Sequence, residues 1–268
     1  MEQKLSKKTR TESDLIGSRE VPESPLYGVQ TLRGIENFRI SKFHLNEYPL
    51  FIQALAITKM GAAVANRELD LLTEEQTDAI LKACKEILEG KHHDQFPVDM
   101  IQGGAGTTTN MNANEVIANR ALELMGHARG EYQYCSPNDH VNRSQSTNDA
   151  YPTAIHIGLY YTHLKLVKHF ATLIEAFRKK GAEFAHIIKM GRTQLEDAVP
   201  MTLGQTFNGF TSILEHGTEE SRFCRTGFSD GQHGGDSHRN WNYRRTGICG
   251  KVHCCPAQDY RTGYQTGR

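Results

Sequence analysis

The sequence has no long apolar run, no excess of either charge and no regular set of cysteines. No stretch approaches the roughly 20 consecutive apolar residues that a membrane-spanning helix needs. The first residues, MEQKLSKKTRTESD, are charged and lack the apolar segment of a secretory signal. Lysine plus arginine and aspartate plus glutamate each total 31, so the formal net charge of zero gives no general attraction to nucleic acid or anionic membranes. We therefore expect a soluble cytoplasmic protein.

The six cysteines are spread unevenly and do not indicate a disulfide framework. Cys84 and Cys135 lie in the body of the chain and the other four lie near its C-terminus, and a cytosolic chain keeps its thiols reduced. His253, Cys254 and Cys255 are candidate metal ligands, but they lack the paired CxxC or HxxxH spacing of zinc sites. We therefore predict no bound metal.

Apolar residues recur at helical spacing over most of the first 216 residues, whereas strand-type alternation is scarce after the first fifty. The longest pattern begins at Pro152 and continues past Gly181 to Ile188, a length typical of a long helical bundle. The sequence therefore predicts a mainly α protein. We expect an N-terminal helical domain over residues 1–150 and the truncated start of a long central helix bundle over residues 151–216.

Three polar segments each stand directly before a predicted helix: QGGAGTTTNMN (102–112), RSQSTNDAYP (143–152) and MGRTQLEDAVPMTLGQ (190–205). Glycines let backbone N–H groups approach a ligand, and a helix N-terminus favours an anion. For the first and third segments, helix capping or turn formation is about as good an explanation as ligand binding. In the second, four consecutive polar residues exceed the one that an N-cap needs, which favours a ligand site. No Gly-Lys-Ser/Thr follows the first, which argues against a nucleotide-binding P-loop.

These segments carry a resemblance to the aspartase/fumarase superfamily that is dense from about Asp14 to His216. The matching stretches are EVPESPLYGVQTLRGIENF, DQFPVDMIQGGAGTTTNMNANEVIANRALELMGH, GEYQYCSPNDHVNRSQSTNDAYPT and KMGRTQLEDAVPMTLGQ. GEYQY and KMGRTQLEDAVPM are similar to the aspartase branch. Ser136 and Gln194 stand where fumarases typically carry histidine. The resemblance therefore favours an aspartase, with a class II fumarate hydratase as the alternative.

The resemblance implies a carbon–nitrogen lyase that reversibly converts L-aspartate to fumarate and ammonia, without a cofactor and as a homotetramer. It implies that the substrate is held by Thr107, Ser146, Thr147, Asn148 and Thr193, and that Gln194 lines the pocket. The family's base is a serine in a mobile loop reading roughly GSSxMPxKxN, which this sequence does not contain. We therefore expect no retained catalytic base and no appreciable activity in the chain alone.

Helical periodicity stops after His216, and residues 217–268 contain no leucine or methionine. Such a segment buries too little apolar area to offset chain entropy, so we predict a non-native, disordered tail. The family usually carries a segment close to NMGATAIGTG at this point. A one-base shift in the codons for residues 233–242 permits Met-Gly-Ala-Thr-Ala-Ile-Gly-Thr-Gly-Ile. Our hypothesis is that the tail is an out-of-frame translation, which sequencing of the coding DNA tests.

Two further functions compete with catalysis. Arg239, Arg244 and Arg245 near Trp241 resemble a nucleic-acid-binding arm, but neighbouring acidic residues dilute the charge. A non-catalytic fragment that self-associates through an uncovered bundle face is the stronger competitor, because a contiguous exposed apolar stripe favours association. That stripe would consist of Leu159, Leu166, Phe170 and Phe177.

Overall fold

The computed structural model describes residues 8–229, with side chains described as far as Arg222, and this part of the chain is mainly helical, as predicted. It divides into two compact units, the first ending at Gly158 and the second beginning at Leu159. The elements are β1 (Thr9–Asp14), β2 (Gly17–Pro22), α1 (Val29–Asn37), α2 (Pro49–Glu68), α3 (Glu74–Leu88), α4 (Thr107–Leu124), α5 (Thr147–Glu183), β3 (Ile188–Thr193), β4 (Glu196–Thr202) and α6 (Leu203–Ser229). No helix among the described residues is long and apolar enough to cross a membrane.

The core of the first unit lies between α2, α3 and α4. Each helix contributes fully buried aliphatic side chains, among them Ile52, Leu55, Ile80, Ile87, Ile117 and Leu122. The stretch Thr73-Glu74-Glu75-Gln76 has the sequence of a capping box, and one is present at the start of α3: Thr73 Oγ1 accepts from the N–H of Gln76, and Gln76 Oε1 accepts from the N–H of Thr73, both at 3.2 Å. Local capping and core burial therefore agree on where α3 begins.

Two buried carboxylates hold the start of α1. Glu115 of α4 accepts hydrogen bonds of 2.6–3.0 Å from the backbone N–H groups of Gly28, Gln30 and Thr31 and from the Thr31 hydroxyl. Glu12 of β1 accepts from the N–H of the first residue of α1 at 2.9 Å. Burial raises the pKa of Glu115 against the opposing effect of its four donors. Four donors match the ionised carboxylate, which only accepts hydrogen bonds.

In the second unit, the hairpin β3–β4 stands between α5 and α6. The prediction that the long helix reaches Ile188 is wrong: α5 ends at Glu183, and Ile188 begins β3. A short apolar run fits a helix or a strand equally well, so periodicity misassigned it. Phe177 is not part of an uncovered face either, since its ring lies 5.8 Å from the rings of Phe207 and Phe210 of α6. Leu159 and Leu166 are exposed.

The helix α6 continues past His216 to Ser229, so the predicted boundary at 216 does not end it. Two side-chain hydrogen bonds lie beyond that point. Thr218 Oγ1 donates to the Leu214 carbonyl at 2.7 Å, and Ser221 Oγ lies 3.1 Å from His163 Nδ1 of α5. Most of the predicted tail, including the candidate metal ligands and the basic arm, lies outside the described residues, and its disorder stays a prediction.

Candidate functional site

The glycine loop before α4 presents Thr107 at the first position of an exposed helix N-terminus. Gly104, Ala105 and Gly106 have consecutive positive φ angles of 71°, 50° and 89°, a left-handed run that glycine makes possible. The run ends directly at α4, where the exposed Thr107 hydroxyl donates to the Gly104 carbonyl at 2.5 Å. A ligand that binds here would compete with that internal hydrogen bond.

A glutamine side chain ties the two ends of this loop together. Gln102 Oε1 accepts from the N–H of Thr109 at 2.8 Å, and Gln102 Nε2 donates to Thr109 Oγ1 at 2.8 Å and to the Asp99 carbonyl at 2.9 Å. Asp99 is itself fixed: despite burial, hydrogen bonds from Ile101 and Ser41 lower the pKa of its carboxyl to about 2. The loop is thus held from both sides of its glycines.

The second predicted segment caps α5 with only two of its four polar residues. Ser146 Oγ accepts from the N–H of Asn148, and Asp149 Oδ2 accepts from the N–H of Ser146, both at 3.2 Å. This reciprocal pair satisfies the helix start. The Asn148 side chain is exposed, and the Thr147 hydroxyl is half-buried, so neither is used for capping. They are available to a ligand at the helix N-terminus.

Asn110 connects the first two segments. It lies one turn after the start of α4, and its Nδ2 donates to Thr147 Oγ1 and to Asn142 Oδ1, both at 3.1 Å. The Tyr151 ring of α5 also lies against Gly106. Because the Thr147 oxygen accepts from Asn110, its own proton is left to donate elsewhere. The starts of α4 and α5 therefore form one cluster, in which Thr147 is the predicted residue that Asn110 contacts.

A buried lysine lies beneath this cluster and was not predicted. Lys59 Nζ donates to Asn142 Oδ1 at 2.9 Å and to Gln145 Oε1 at 3.1 Å. Burial lowers its pKa to about 7, and the Cys84 thiol opposes that shift. The signal that marks it in the sequence is a lone charge inside the apolar stripe of the predicted helix, ALAITKMGAAVAN.

Thr193 and Gln194 lie together on the hairpin of the second unit. Thr193 ends β3, Gln194 opens the two-residue turn, and both are exposed. Gln194 and Leu195 have φ angles of 50° and 69°, as a type I′ turn requires, although neither is the asparagine or glycine such turns prefer. Next to them, Arg192 Nε donates to Asp197 Oδ1 at 3.0 Å across the hairpin.

A cavity of about 590 Å³ in the first unit lies apart from the predicted residues, none of which lines it. Its walls come from the turn between β1 and β2, the start of α1, Glu115, Tyr132 and the turn that holds Ser136 and Asp139. Within residues 8–229, no group of three or more histidine, cysteine, aspartate or glutamate side chains is placed to hold a metal ion.

The sequence profile of the lyase family matches residues 17–238. The chain belongs to the lyase family. It is 58% identical over 205 residues to a protein named aspartate ammonia-lyase from Pseudomonas fluorescens. The matched stretch covers 76% of this chain and 43% of that relative. An aspartate ammonia-lyase from Escherichia coli (strain K12) is 55% identical over 212 residues, covering 79% and 44%. The chain thus spans less than half the length of these curated relatives.

Solved structures of this lyase family have the same fold. A fumarate lyase:delta crystallin from Brucella melitensis superposes with a TM-score of 0.80 at 50% identity, covering 83% of this chain and 52% of that one. A class II fumarase from Schistosoma mansoni also gives 0.80, at 33% identity, covering 97% and 56%. The predicted fold class and the predicted superfamily are confirmed.

Proposed function

We propose that this chain carries substrate-binding residues of an aspartate ammonia-lyase, which interconverts L-aspartate with fumarate and ammonia. The observation that supports this most is the 55–58% identity to proteins of that name over a stretch that includes all three predicted segments. The assignment of the six residues, the homotetramer and the cytoplasmic location that the resemblance implies belong to the same proposal. A class II fumarase is the second candidate, supported by the lower, 33% identity to the Schistosoma mansoni enzyme.

The cluster at the start of α5 suits a carboxylate. The Thr147 and Ser146 oxygens each accept a hydrogen bond from within the protein, which leaves their hydroxyl protons free to donate to a ligand. The exposed Asn148 amide adds another neutral donor, and the helix N-terminus favours negative charge. We assign Ser146, Thr147 and Asn148 to one substrate carboxylate. Thr107 joins them if its hydroxyl exchanges the Gly104 carbonyl for the ligand.

These donors suit the reaction as well as binding. Removing the Cβ proton of aspartate builds charge on the neighbouring carboxylate before the ammonium group leaves. Fixed N–H and O–H dipoles stabilise such growing charge without having to reorient. The residues described in this chain are therefore assigned to holding the substrate and stabilising that charge. Removal of the proton is not assigned to any of them.

Fumarate binding tests the assignment. Titration of the purified chain with fumarate, followed by NMR, is expected to show saturable binding that Thr147→Val weakens at least tenfold. Thr172→Val is the matched control, because Thr172 is an exposed α5 threonine that donates only to the Lys168 carbonyl. Equal binding by both variants would refute the assignment.

The reaction needs a separate assay that distinguishes the two enzymes. The chain is mixed with an aspartate ammonia-lyase whose base loop is mutated, and L-aspartate or fumarate is added in separate assays. Fumarate absorbance together with released ammonia supports the aspartase. Hydration of fumarate to malate without ammonia would instead favour the fumarase. If no mixture forms either product, substrate binding is the only activity left to this chain, and the catalytic part of the proposal is rejected.

A further inference from the structure

Lys59 has an unusual environment for a lysine. It is fully buried, yet the acceptors of its Nζ are two side-chain amide oxygens, Asn142 Oδ1 and Gln145 Oε1, and not a carboxylate. Buried charges in proteins are normally paired with an opposite charge. The polar contacts of Lys59 Nζ are therefore hydrogen bonds to amides and not an ion pair.

The hydrogen-bond pattern fits an uncharged amine. A neutral amine has two N–H donors, which the two amide oxygens satisfy, whereas an ammonium group has three donors. Burial lowers the pKa of Lys59 to about 7, which agrees with that pattern. The titratable group that faces it is the Cys84 thiol of α3, and burial raises the pKa of that thiol to about 12, so it is uncharged over the same range.

The Lys59 hydrogen bonds fix the orientation of two amides in series. Because Asn142 Oδ1 accepts from Lys59, the same oxygen faces Asn110 and accepts from its Nδ2. Asn142 Nδ2 donates to the Gln145 carbonyl at 3.0 Å, which holds the amide from its other side. Asn110 must then present its NH₂ group to Thr147 Oγ1. Lys59 thus sets the direction of the Thr147 hydroxyl through three successive hydrogen bonds.

The alternative orientation would reverse that hydroxyl. Asn110 Oδ1 is buried and has no hydrogen-bond partner within the described part of the chain. If the Asn110 amide turned over, this oxygen would meet Thr147 and accept its proton, so the hydroxyl would no longer donate to a ligand. Because a buried oxygen without a hydrogen bond costs free energy, this unpaired oxygen favours rotation of the Asn110 amide.

We propose that Lys59 is a positioning residue for the start of α5, which acts through Asn142 and Asn110 to keep the Thr147 hydroxyl donating toward the substrate. The role in substrate binding rests on the proposed function, whereas the orientation of the amides does not.

The test is Lys59→Met, which keeps an unbranched side chain of similar length and removes the donors. Lys82→Met is the matched control, because Lys82 lies exposed on α3. NMR follows the side-chain NH₂ signals of Asn110 and Asn142, and a titration with fumarate gives its Kd. We expect Lys59→Met to shift both signals and to raise the Kd for fumarate at least tenfold, with a folded circular dichroism spectrum. Lys82→Met should change neither.

The outcomes separate this proposal from the proposed function. If Lys59→Met folds and the Asn110 and Asn142 signals do not move, the positioning role is overturned, whatever the affinity for fumarate. It is also overturned if these signals shift while the affinity for fumarate stays within twofold of that of the unchanged chain. If the unchanged chain binds no fumarate, the proposed function fails, and the two amide signals alone decide the role of Lys59.

A titration of the unchanged chain replaces the variant if Lys59→Met does not fold. Protonation of Lys59 should move the side-chain signals of Asn142, Gln145 and Asn110 with one common midpoint near pH 7. Burial lowers the pKa of nearby His140 below its ordinary value of 6.5, so its titration falls at lower pH and is distinguishable. Three unrelated midpoints, or none between pH 6 and 9, overturn the proposal.

Discussion

The two units of this chain differ in how much of their side-chain surface is buried. The first buries ionisable groups such as Lys59 and Glu115 within hydrogen-bond networks, beneath a core of apolar helix side chains. Among the described residues of the second unit, Ile174 is the one buried hydrophobic side chain, and Leu195 is 97% exposed, Ile188 79% and Ile213 70%. Buried polar networks specify one arrangement and are costly to interrupt, whereas exposed apolar positions contribute little to the stability of a single chain. We therefore expect substitutions in the first unit to have the larger effects.

The largest effect is expected at Glu115. Replacing it by leucine leaves three backbone N–H groups and the Thr31 hydroxyl without their acceptor, and each unpaired buried donor costs about 1–3 kcal/mol. Glu115→Leu should therefore lower the free energy of unfolding by at least about 3 kcal/mol, measured by urea titration. Glu75→Leu, on the exposed side of α3, should stay within about 0.5 kcal/mol. Similar losses for both would mean that the network does not dominate the first unit.

The second effect is a difference between two glycine-to-alanine substitutions, which separates the free-energy cost of a left-handed backbone from the cost of overpacking. Gly106 has a φ of 89°, and an added Cβ would meet the Tyr151 ring, whereas Gly126 has a φ of 83° and open space around it. A left-handed non-glycine residue costs roughly 1–2 kcal/mol. Gly126→Ala should lose that amount of unfolding free energy. Gly106→Ala should lose roughly 1–3 kcal/mol more, because overpacking adds to it. Equal losses would show that Tyr151 moves away without cost.

The third effect is a pH dependence that Lys59 confers on the first unit. Its pKa is about 7 when folded, against an ordinary value of 10.5, so between these values the unfolded chain binds more protons and unfolding becomes less favourable as pH rises. The rise approaches about 1.4 kcal/mol per pH unit. Above pH 9 the buried thiols of Cys84 and Cys135, with pKa values raised to about 12, act in the opposite direction.

The informative window is therefore pH 7.5 to 8.5. Urea titrations there should show the unchanged chain gaining about 1 kcal/mol of unfolding free energy relative to Lys59→Met. Parallel curves for the two chains would indicate that Lys59 is charged in the folded state.

Local patterns were enough to predict some of these features. Apolar periodicity located the helices of the first unit, and the capping box at Thr73 located the start of α3. Four polar residues in a row at 146–149 marked the start of α5, where the structure uses only Ser146 and Asp149 for capping. In each case the signal lies within a single element of the chain, so tertiary contacts are not needed to recognise it.

The features that were missed depend on distant parts of the chain or on weak local signals. Lys59 meets Asn142 and Gln145 across 83 and 86 residues, so its environment exists only once α2 packs beneath the start of α5. The β3–β4 hairpin has a two-residue turn without glycine or asparagine, so the usual hairpin signal is missing. Its alternation is also too short to separate from a helix.

That unfavourable turn gives the smallest expected effect, and one of opposite sign. Leu195 has a φ of 69° and is 97% exposed, so Leu195→Gly removes no buried contact and relieves a left-handed conformation. The second unit should gain up to about 1 kcal/mol of unfolding free energy, reported by hydrogen exchange of the β3–β4 amides. Glu196→Gly in β4, at a regularly paired and exposed strand position, is the control and should reduce protection, because there glycine only adds chain entropy to the unfolded state. If both variants reduce protection, the Leu195 side chain makes stabilising contacts that are not present within a single chain. Self-association of the second unit would provide such contacts.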